Sequence, residues 1–240
     1  VETVLSYATF KGWRTGDNPA RWRDNLKHAL PKPSAVAQAE HHAALPVKDL
    51  SAFMTLLGKE SGVAARALEF TILTAARTGE TIGATWAEID LDEAVWTIPK
   101  VRMKAGVEHR VALSAPAVAG LRGMLPLRGA DADGSDYVFA GQRAGKPLSN
   151  MAMMMLLRRM KRSDLTVHGF RSTFRVWAGE TTSHPPDVVE QALAHKLGDK
   201  VQQAYDRGDR FQKRRVLMAD WAAFCAKPAA TVVALAERRA

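Results

Sequence analysis

Cysteine is almost absent from the 240-residue sequence, which contains only Cys225. A disulfide framework within the chain is therefore excluded, and a cysteine-based zinc site is disfavoured. No uninterrupted apolar run is long enough to cross a bilayer, so we expect no membrane partner. The first residues, Val1–Leu5, lack both Met and the basic start of a signal peptide. We therefore expect part of a longer cytoplasmic protein.

Acidic residues are fewer than basic ones. The chain has 34 Lys and Arg against 25 Asp and Glu, which gives a net charge of +9 with His neutral. The isoelectric point is about 9.9. A polyanionic partner is the natural expectation, with DNA or RNA ahead of a membrane surface. Because many soluble proteins are mildly basic, charge alone does not identify a nucleic-acid-binding protein.

The sequence divides near residue 44. Apolar residues at helical spacing open the chain and predict an amphipathic helix that ends near Lys11. The segment from about 30 to 45 has little hydrophobic pattern and is interrupted by prolines, so it is predicted to be a linker. We therefore assign 1–44 to a terminal helix and linker, 45–227 to the main domain and 228–240 to a C-terminal tail.

The main domain combines helical patterns with one short stretch of strand pattern. The segment 62–76 is apolar almost all round and predicts a central buried helix. Between Trp86 and Leu113, alternating and β-branched residues predict three antiparallel strands, the last two joined by a basic tip at 100–109. Further helices are predicted at about 50–57, 117–125, 169–179, 187–194, 201–206 and 212–226, and one after a cap at 149 or 150. The predicted fold is mainly α with a small three-stranded antiparallel sheet.

Several polar residues stand at places where chemistry could be carried out. Arg77 follows the predicted buried helix directly, where the chain breaks in Arg-Thr-Gly-Glu. His168 and Arg171 are three residues apart at the start of a predicted helix, so their side chains share one face. His195 ends another predicted helix, and Tyr205 follows it in Ala-Tyr-Asp-Arg. Together they predict a site for reactions at a phosphodiester.

Each residue type has a function in such a reaction. Two guanidiniums can hold the non-bridging oxygens of a phosphate, and they remain charged at any working pH. Imidazoles can donate hydrogen bonds or move protons near neutral pH. A tyrosine hydroxyl becomes a good nucleophile in positive surroundings, and Lys104 on the basic tip can protonate a departing alkoxide. Because these cations supply the electrostatic stabilisation, we expect no metal and no other cofactor.

The order of five short motifs resembles that of the tyrosine recombinases, most closely the integrases of phages and integrative elements. The motifs are Arg-Thr-Gly-Glu, Arg-Met-Lys, His-Gly-Phe-Arg, Leu-Ala-His-Lys and Ala-Tyr, and the similarity covers Leu45–Cys225. Each motif alone is a weak signal, whereas five in the family order are a strong one. The resemblance implies the fold of a tyrosine recombinase catalytic domain, with 1–44 as the end of a core-binding domain.

The resemblance also implies a role for each matching residue. The catalytic set would be Arg77, Lys104, His168, Arg171, His195 and Tyr205, with Glu80 in support of Arg77. The arginines would clamp the scissile phosphate, the histidines would hydrogen-bond to it or move protons, and the lysine would be the general acid. Tyr205 would be the nucleophile that forms a 3′-phosphotyrosine.

The activity implied by the family is site-specific cleavage and rejoining of DNA in a bacterial cytoplasm, without metal or ATP, to integrate or excise a mobile element. The implied partners are duplex DNA attachment sites, other copies of the protein in a recombining tetramer, and accessory DNA-bending or directionality factors. Two alternatives are a nicking-closing enzyme that resembles type IB topoisomerases and an inactive, DNA-binding prophage remnant. The intact catalytic set argues against the remnant.

Basic residues outside the catalytic set are candidate contacts to the DNA backbone. They are Arg143, Lys146, Arg158, Arg159, Arg162 and Arg175. The loop 141–146 resembles a phosphate-binding loop only faintly, because Pro147 stands where Ser or Thr is required. We interpret it as a basic loop near DNA. For the cluster around Arg158, the alternative is an ordinary solvated surface.

Taken singly, the candidates also have ordinary explanations. Arg77 could be a cation favoured by the dipole at a helix C-terminus. Tyr205 could be a half-buried tyrosine that anchors a short helix. Lys104 could be an ordinary hairpin lysine, because Lys100 and Arg102 lie close to it in the sequence. The apolar stripe of the last predicted helix could pack on its own core or on a neighbouring copy.

Overall fold

The computed structural model describes residues 1–31, 43–128, 134, 136–143, 145–195 and 208–227. The helix predicted at 201–206, the predicted nucleophile Tyr205 and the tail at 228–240 lie outside the described residues. The chain divides into two units, Val1–His41 and His42–Ala240.

In the first unit, helix α1 runs over Glu2–Phe10 and ends at Lys11, as the spacing predicts. None of the residues of α1 is buried. Glu2 instead fastens the loop that follows. Its backbone carbonyl accepts a hydrogen bond from Asn18 Nδ2 at 2.7 Å, and its carboxylate accepts one from the backbone N–H of Trp22 at 3.1 Å.

Helices predominate in the part of the second unit that the structure describes. Its helices are α2 (Leu50–Lys59), α3 (Val63–Thr74), α4 (Thr78–Ile82), α5 (Ala115–Met124), α6 (Ala152–Arg159), α7 (Gly169–Thr181), α8 (Pro186–Ala192) and α9 (Phe211–Cys225). Helix α3 is central, as predicted, and packs against α2, α5, α6 and α9 because apolar residues surround it. No helix among the described residues is long and apolar enough to cross a membrane.

The predicted sheet is confirmed. Strands β1 (Ile89–Asp90), β2 (Val95–Ile98) and β3 (His109–Ala112) are antiparallel and lie in the order β1-β2-β3. Asp90 closes the first turn, because its carboxylate accepts the backbone N–H groups of the two residues at 92 and 93. The register of β2 and β3 sets Ile98 opposite His109, so the basic tip extends beyond this pair.

Tryptophans anchor the core of the second unit, as their apolar surroundings in the sequence predict. Trp221 of α9 is fully buried, and its Nε1 donates to the carbonyl of Ile72 in α3 at 2.8 Å. Its ring centroid lies 5.2 Å from that of Phe174 and 4.9 Å from that of Trp177. Helix α9 therefore packs on the core of its own chain, which decides between the two alternatives for its apolar stripe.

The end of α8 differs from the prediction, which continued this helix as far as His195. The helix ends at Ala192, and Ala194 adopts a left-handed conformation with φ of 51°. An alanine in this conformation gives no signal in the sequence, because glycine or asparagine is the usual residue there. After the turn, the carbonyls of Leu193 and Ala194 accept hydrogen bonds from arginine side chains.

Candidate active site

Arg77 begins helix α4, directly after the central helix α3. Its backbone N–H donates to one carboxylate oxygen of Glu80 at 2.9 Å, and its Nη1 donates to the other at 2.7 Å. Glu80 is buried, with 6% of its surface exposed. One carboxylate thus caps the helix start and also orients the guanidinium, since both bonds are charge-assisted.

Arg171 lies in the first turn of α7 and is buried, with 5% of its surface exposed. Its Nη1 donates to the carbonyl of Ala75, and its Nη2 donates to the carbonyl of Leu193 at 2.7 Å. Burial, together with the nearby charge of Arg77, lowers the pKa of Arg171 to about 10. The side chain is still a cation at neutral pH, and because it is buried it does not belong to a solvated face.

The two arginines meet at one peptide group. Arg77 Nη2 donates to the same Leu193 carbonyl at 3.3 Å and to the carbonyl of Ala194 at 3.4 Å. Two guanidiniums thus converge on the turn after α8, with the carboxylate of Glu80 as their close acidic partner. A second carboxylate that acts on Arg171, that of Glu190, is itself paired with Arg175, so the site retains an excess of positive charge that would attract an anionic group.

His195 lies beside these cations. Its Nε2 is 3.3 Å from Arg171 Nη2, and its Nδ1 is 2.5 Å from a carboxylate oxygen of Glu190. When Nδ1 carries the proton that it donates to Glu190, Nε2 is the acceptor that faces the arginine. The other oxygen of Glu190 accepts from Arg175 Nε at 2.7 Å. Burial works against ionisation of Glu190, but the hydrogen bonds from His195 and Arg175 outweigh it and lower the pKa of this carboxyl.

His168 precedes the helix that carries Arg171, and Lys104 lies on the hairpin that Arg102 joins to α4. His168 is the residue before α7; its side chain is exposed, and its carbonyl accepts the backbone N–H of Arg171 at 3.0 Å. Lys104 is exposed on the connection from β2 to β3. The structure therefore brings Arg77 and Arg171 to one shared carbonyl with His195 in contact with Arg171, and it places His168 and Lys104 on adjoining segments.

Two further acidic residues belong to the surroundings of the site, and sequence patterns did not reveal either. Glu190 reaches His195 only because of the turn at Ala194, since a spacing of five residues is not a helical pair. Glu88 binds the guanidinium of Arg102, which lies two residues before Lys104. The sequence showed Arg102 merely as a basic neighbour of Lys104, and no periodic signal connects it with Glu88.

Three of the candidate DNA contacts line one groove. Arg143, Lys146 and Arg159 surround a space of about 920 Å³ beside the first turns of α3 and α6. The described residues that line it include no carboxylate. The remaining candidates are exposed or already paired: Arg158 is exposed, Arg162 is bound to Asp164, and Arg175 is bound to Glu190.

Known proteins resemble this chain over most of its second unit. Residues 44–210 match the phage integrase family. Prophage integrase IntA of Escherichia coli (strain K12) is 37% identical over 153 residues, which make up 63% of this chain and 36% of that protein. Prophage integrase IntZ of the same strain is 34% identical over 184 residues, which make up 76% of this chain and 44% of that protein. The chain thus spans less than half the length of these two relatives.

Solved structures share the fold at low sequence identity. A lambda integrase dimer bound to a core site has a TM-score of 0.55 and 17% identity, covering 87% of this chain and 70% of that chain. The Tn1549 transposon integrase, in complex with transposon right-end DNA, has a TM-score of 0.57 and 16% identity, covering 92% of this chain and 78% of that chain. Since the family match covers more than half of the sequence, the chain belongs to the phage integrase family of tyrosine recombinases.

Proposed function

We propose that this protein is a site-specific DNA recombinase that cleaves and rejoins DNA through a 3′-phosphotyrosine at Tyr205. The observation that carries the proposal is the convergence of Arg77 and Arg171 on the Leu193 carbonyl, with His195 in contact with Arg171. Hydrogen-bond donors fixed in this way act on charge that develops in a transition state without having to reorganise, which makes them effective catalysts.

In the proposed reaction, the non-bridging oxygens of the scissile phosphate bind the two guanidiniums and the Nε2–H of His195, whose ring then carries a proton on both nitrogens. The phenol oxygen of Tyr205 attacks phosphorus, and the bond to the 5′ oxygen breaks. Lys104 gives its proton to that oxygen, while His168 accepts or returns a proton near the nucleophile. The 5′ hydroxyl of a partner strand then attacks the phosphotyrosine and releases Tyr205. Since the covalent link retains the energy of the phosphodiester, ATP is not required.

The proposed substrate is duplex DNA at an attachment site of a mobile element, in a bacterial cytoplasm. The groove lined by Arg143, Lys146 and Arg159 has no carboxylate among its described lining residues and suits contacts to DNA phosphates, which position a protein without reading sequence. Several copies would act together, with accessory DNA-bending or directionality factors. A lambda integrase tetramer bound to a Holliday junction supports a tetramer, since it shares the fold with a TM-score of 0.54. In this proposal, 1–44 closes a core-binding domain, 45–227 is catalytic and 228–240 is a tail.

Trapping the covalent intermediate tests the proposal. The probe is a nicked duplex that contains the attachment site, which is identified by sequencing the host DNA that becomes covalently attached to the full-length protein. We expect the wild-type protein and Tyr137→Phe to form the adduct on a denaturing gel, and Tyr205→Phe to bind the duplex without forming it. The matched control is informative because the chain has only three tyrosines.

Two outcomes would count against the proposal. An undiminished adduct with Tyr205→Phe would show that another residue is the nucleophile. Relaxation of supercoiled DNA without any recombinant product, in an assay with two attachment sites, would favour the nicking-closing activity of type IB topoisomerases.

A further inference from the structure

A half-buried ion pair holds the base of the hairpin that carries Lys104. Arg102 Nη1 donates to both carboxylate oxygens of Glu88, at 2.5 Å for Oε1. The same carboxylate accepts Trp96 Nε1 from strand β2 at 2.9 Å. The side chains of Arg102 and Glu88 are 22% and 10% exposed, so water screens this pair only in part. Arg102 is thereby fixed to the sheet.

The second arm of the same guanidinium reaches the helix that holds Arg77. Arg102 Nη2 donates to the backbone carbonyl of Glu80 at 2.5 Å. The side chain of Glu80 is the one that orients the guanidinium of Arg77. One planar group therefore connects the hairpin with α4, and because its two nitrogens bind partners on different elements it fixes orientation as well as distance.

The chain leaves room for this guanidinium at Gly83. A Cβ added to Gly83 would lie 2.7 Å from Arg102 Nη2 and 3.2 Å from its Cζ. The backbone of Gly83 has φ of −85°, which any residue adopts, so glycine is needed here for space and not for conformation. An alanine at this position would displace the guanidinium of Arg102 without removing any charged side chain from the protein.

The apolar side chains of the hairpin tip give Lys104 little directional support. Val101 and Val107 are 84% and 67% exposed, so these apolar side chains do not anchor the connection. Met103 is buried, but a single flexible side chain does not fix an orientation.

Backbone hydrogen bonds shape the turn itself, from Met103 N–H to the Lys100 carbonyl at 3.2 Å and from Gly106 N–H to the Met103 carbonyl at 2.9 Å. Among the described residues of the tip, the side chain of Arg102 supplies the directional contacts that tie it to other elements next to Lys104.

We propose that Arg102 is a positioning residue that sets the location of Lys104 relative to Arg77 through its simultaneous bonds to Glu88 and to the Glu80 carbonyl. The inference depends on the proposed function, because it takes Lys104 to be the acid that protonates the leaving 5′ oxygen. An acid must come within hydrogen-bonding distance of the atom that it protonates. A displacement of about 1 Å is enough to slow a reaction by about 100-fold.

A change of leaving group tests this role directly. The full-length protein is given two nicked duplexes that contain the attachment site. One has the natural 5′ oxygen as the leaving atom at the scissile phosphate, and the other has sulfur in its place. A 5′ thiolate leaves without a proton, so loss of the acid affects only the oxygen substrate. For Arg102→Met and Gly83→Ala we expect adduct formation to slow by about 10- to 100-fold with oxygen and by less than about threefold with sulfur. Lys104→Ala should show the same pattern more strongly.

Arg66→Met is the matched control. Arg66 makes a similar set of contacts, donating to the carbonyls of Leu57 and Glu60 at 3.3 and 3.0 Å and pairing with Glu69 at 2.6 Å. Its side chain is 30% exposed. Arg66 lies in the first turn of α3, whereas Arg77 comes after the last turn, at the other end of this helix. We expect this variant to lose a similar amount of stability and to treat the two substrates alike.

Each outcome decides a different question. Equal slowing with oxygen and sulfur in both Arg102→Met and Gly83→Ala would overturn the positioning role while leaving the proposed function intact. Failure of sulfur to restore Lys104→Ala would overturn the assignment of the acid, and with it the inference. Absence of any adduct in the wild-type protein would overturn the proposed function itself. If Arg102→Met does not fold, Gly83→Ala provides the comparison, because it keeps the arginine.

Discussion

Replacing Glu190 by Gln would test whether the carboxylate behind His195 controls the imidazole. In the native protein, Glu190 accepts from His195 Nδ1 at 2.5 Å and from Arg175 Nε at 2.7 Å. Glutamine has nearly the same shape but no charge, and its amide N–H₂ can face Nδ1 without accepting from it. We expect Glu190→Gln to release His195 from its fixed tautomer and orientation.

The expected magnitude follows from the strength of such bonds. A hydrogen bond to a charged group contributes about 1.5–3 kcal/mol, and each 1.4 kcal/mol in a barrier corresponds to about tenfold in rate. If the whole contribution is expressed in the transition state, adduct formation should slow by about 10- to 100-fold. Single-turnover trapping of the phosphotyrosine adduct measures this rate, and urea denaturation measures the accompanying loss of unfolding free energy.

The stability effect of this substitution should depend on pH. The pKa of Glu190 is lowered in the folded protein, so the unfolded chain binds its proton at a higher pH. The stabilisation by this carboxylate is therefore present above its ordinary pKa of 4.5 and is lost as the pH falls through the lower value of the folded state. The difference in unfolding free energy between the wild-type protein and Glu190→Gln should narrow below about pH 4.5.

Glu69→Gln supplies the control for these measurements. Glu69 also pairs with an arginine, and its side chain is 27% exposed against 24% for Glu190, but it lies in α3 and away from His195. Adduct formation at the wild-type rate in Glu190→Gln, or equal slowing in Glu69→Gln, would contradict the control of His195 by Glu190.

Two further predictions concern other buried cations and imidazoles. Arg171→Lys should lower the unfolding free energy by about 2–4 kcal/mol in urea denaturation, because the Ala75 carbonyl loses its donor. The rate of adduct formation should fall by at least about 100-fold. An unfolding free energy equal to that of the wild-type protein would contradict this prediction. Burial and the charge of Arg214 lower the pKa of His109 to about 4. As the pH falls, the unfolded chain therefore binds this proton before the folded protein does. The free energy of unfolding should decrease as the pH is lowered from about 6.5 to 4, and His109→Gln should remove the contribution of His109 to that decrease.

The elements with strong periodic patterns could be predicted from the sequence. The apolar surface of α3 and the alternation in β2 follow directly from how helices and strands bury side chains. Helix ends were harder to predict. The helix expected to continue to His195 stops at Ala192, because one alanine turns left-handed where local sequence preferences favour continuation.

The candidate site shows the same division. Arg77, Arg171 and His195 could be selected from their motifs, and the structure brings all three together. Glu190 and Glu88 could not be recognised as site residues from the sequence, because each contacts its partner only in the folded protein. A carboxylate that binds an arginine or a histidine in this way has no spacing rule, since the two residues lie on different elements or across an irregular turn.

Two alanines show how the fold creates the site. Ala75 and Ala194 have φ of 50° and 51°, a region in which residues other than glycine are strained by about 1–2 kcal/mol. Each follows a helix, and hydrogen bonds from the arginines end on the carbonyl of Ala75 and on those of Leu193 and Ala194. These charge-assisted bonds offset the strain, so the two turns and the pair of guanidiniums stabilise one another.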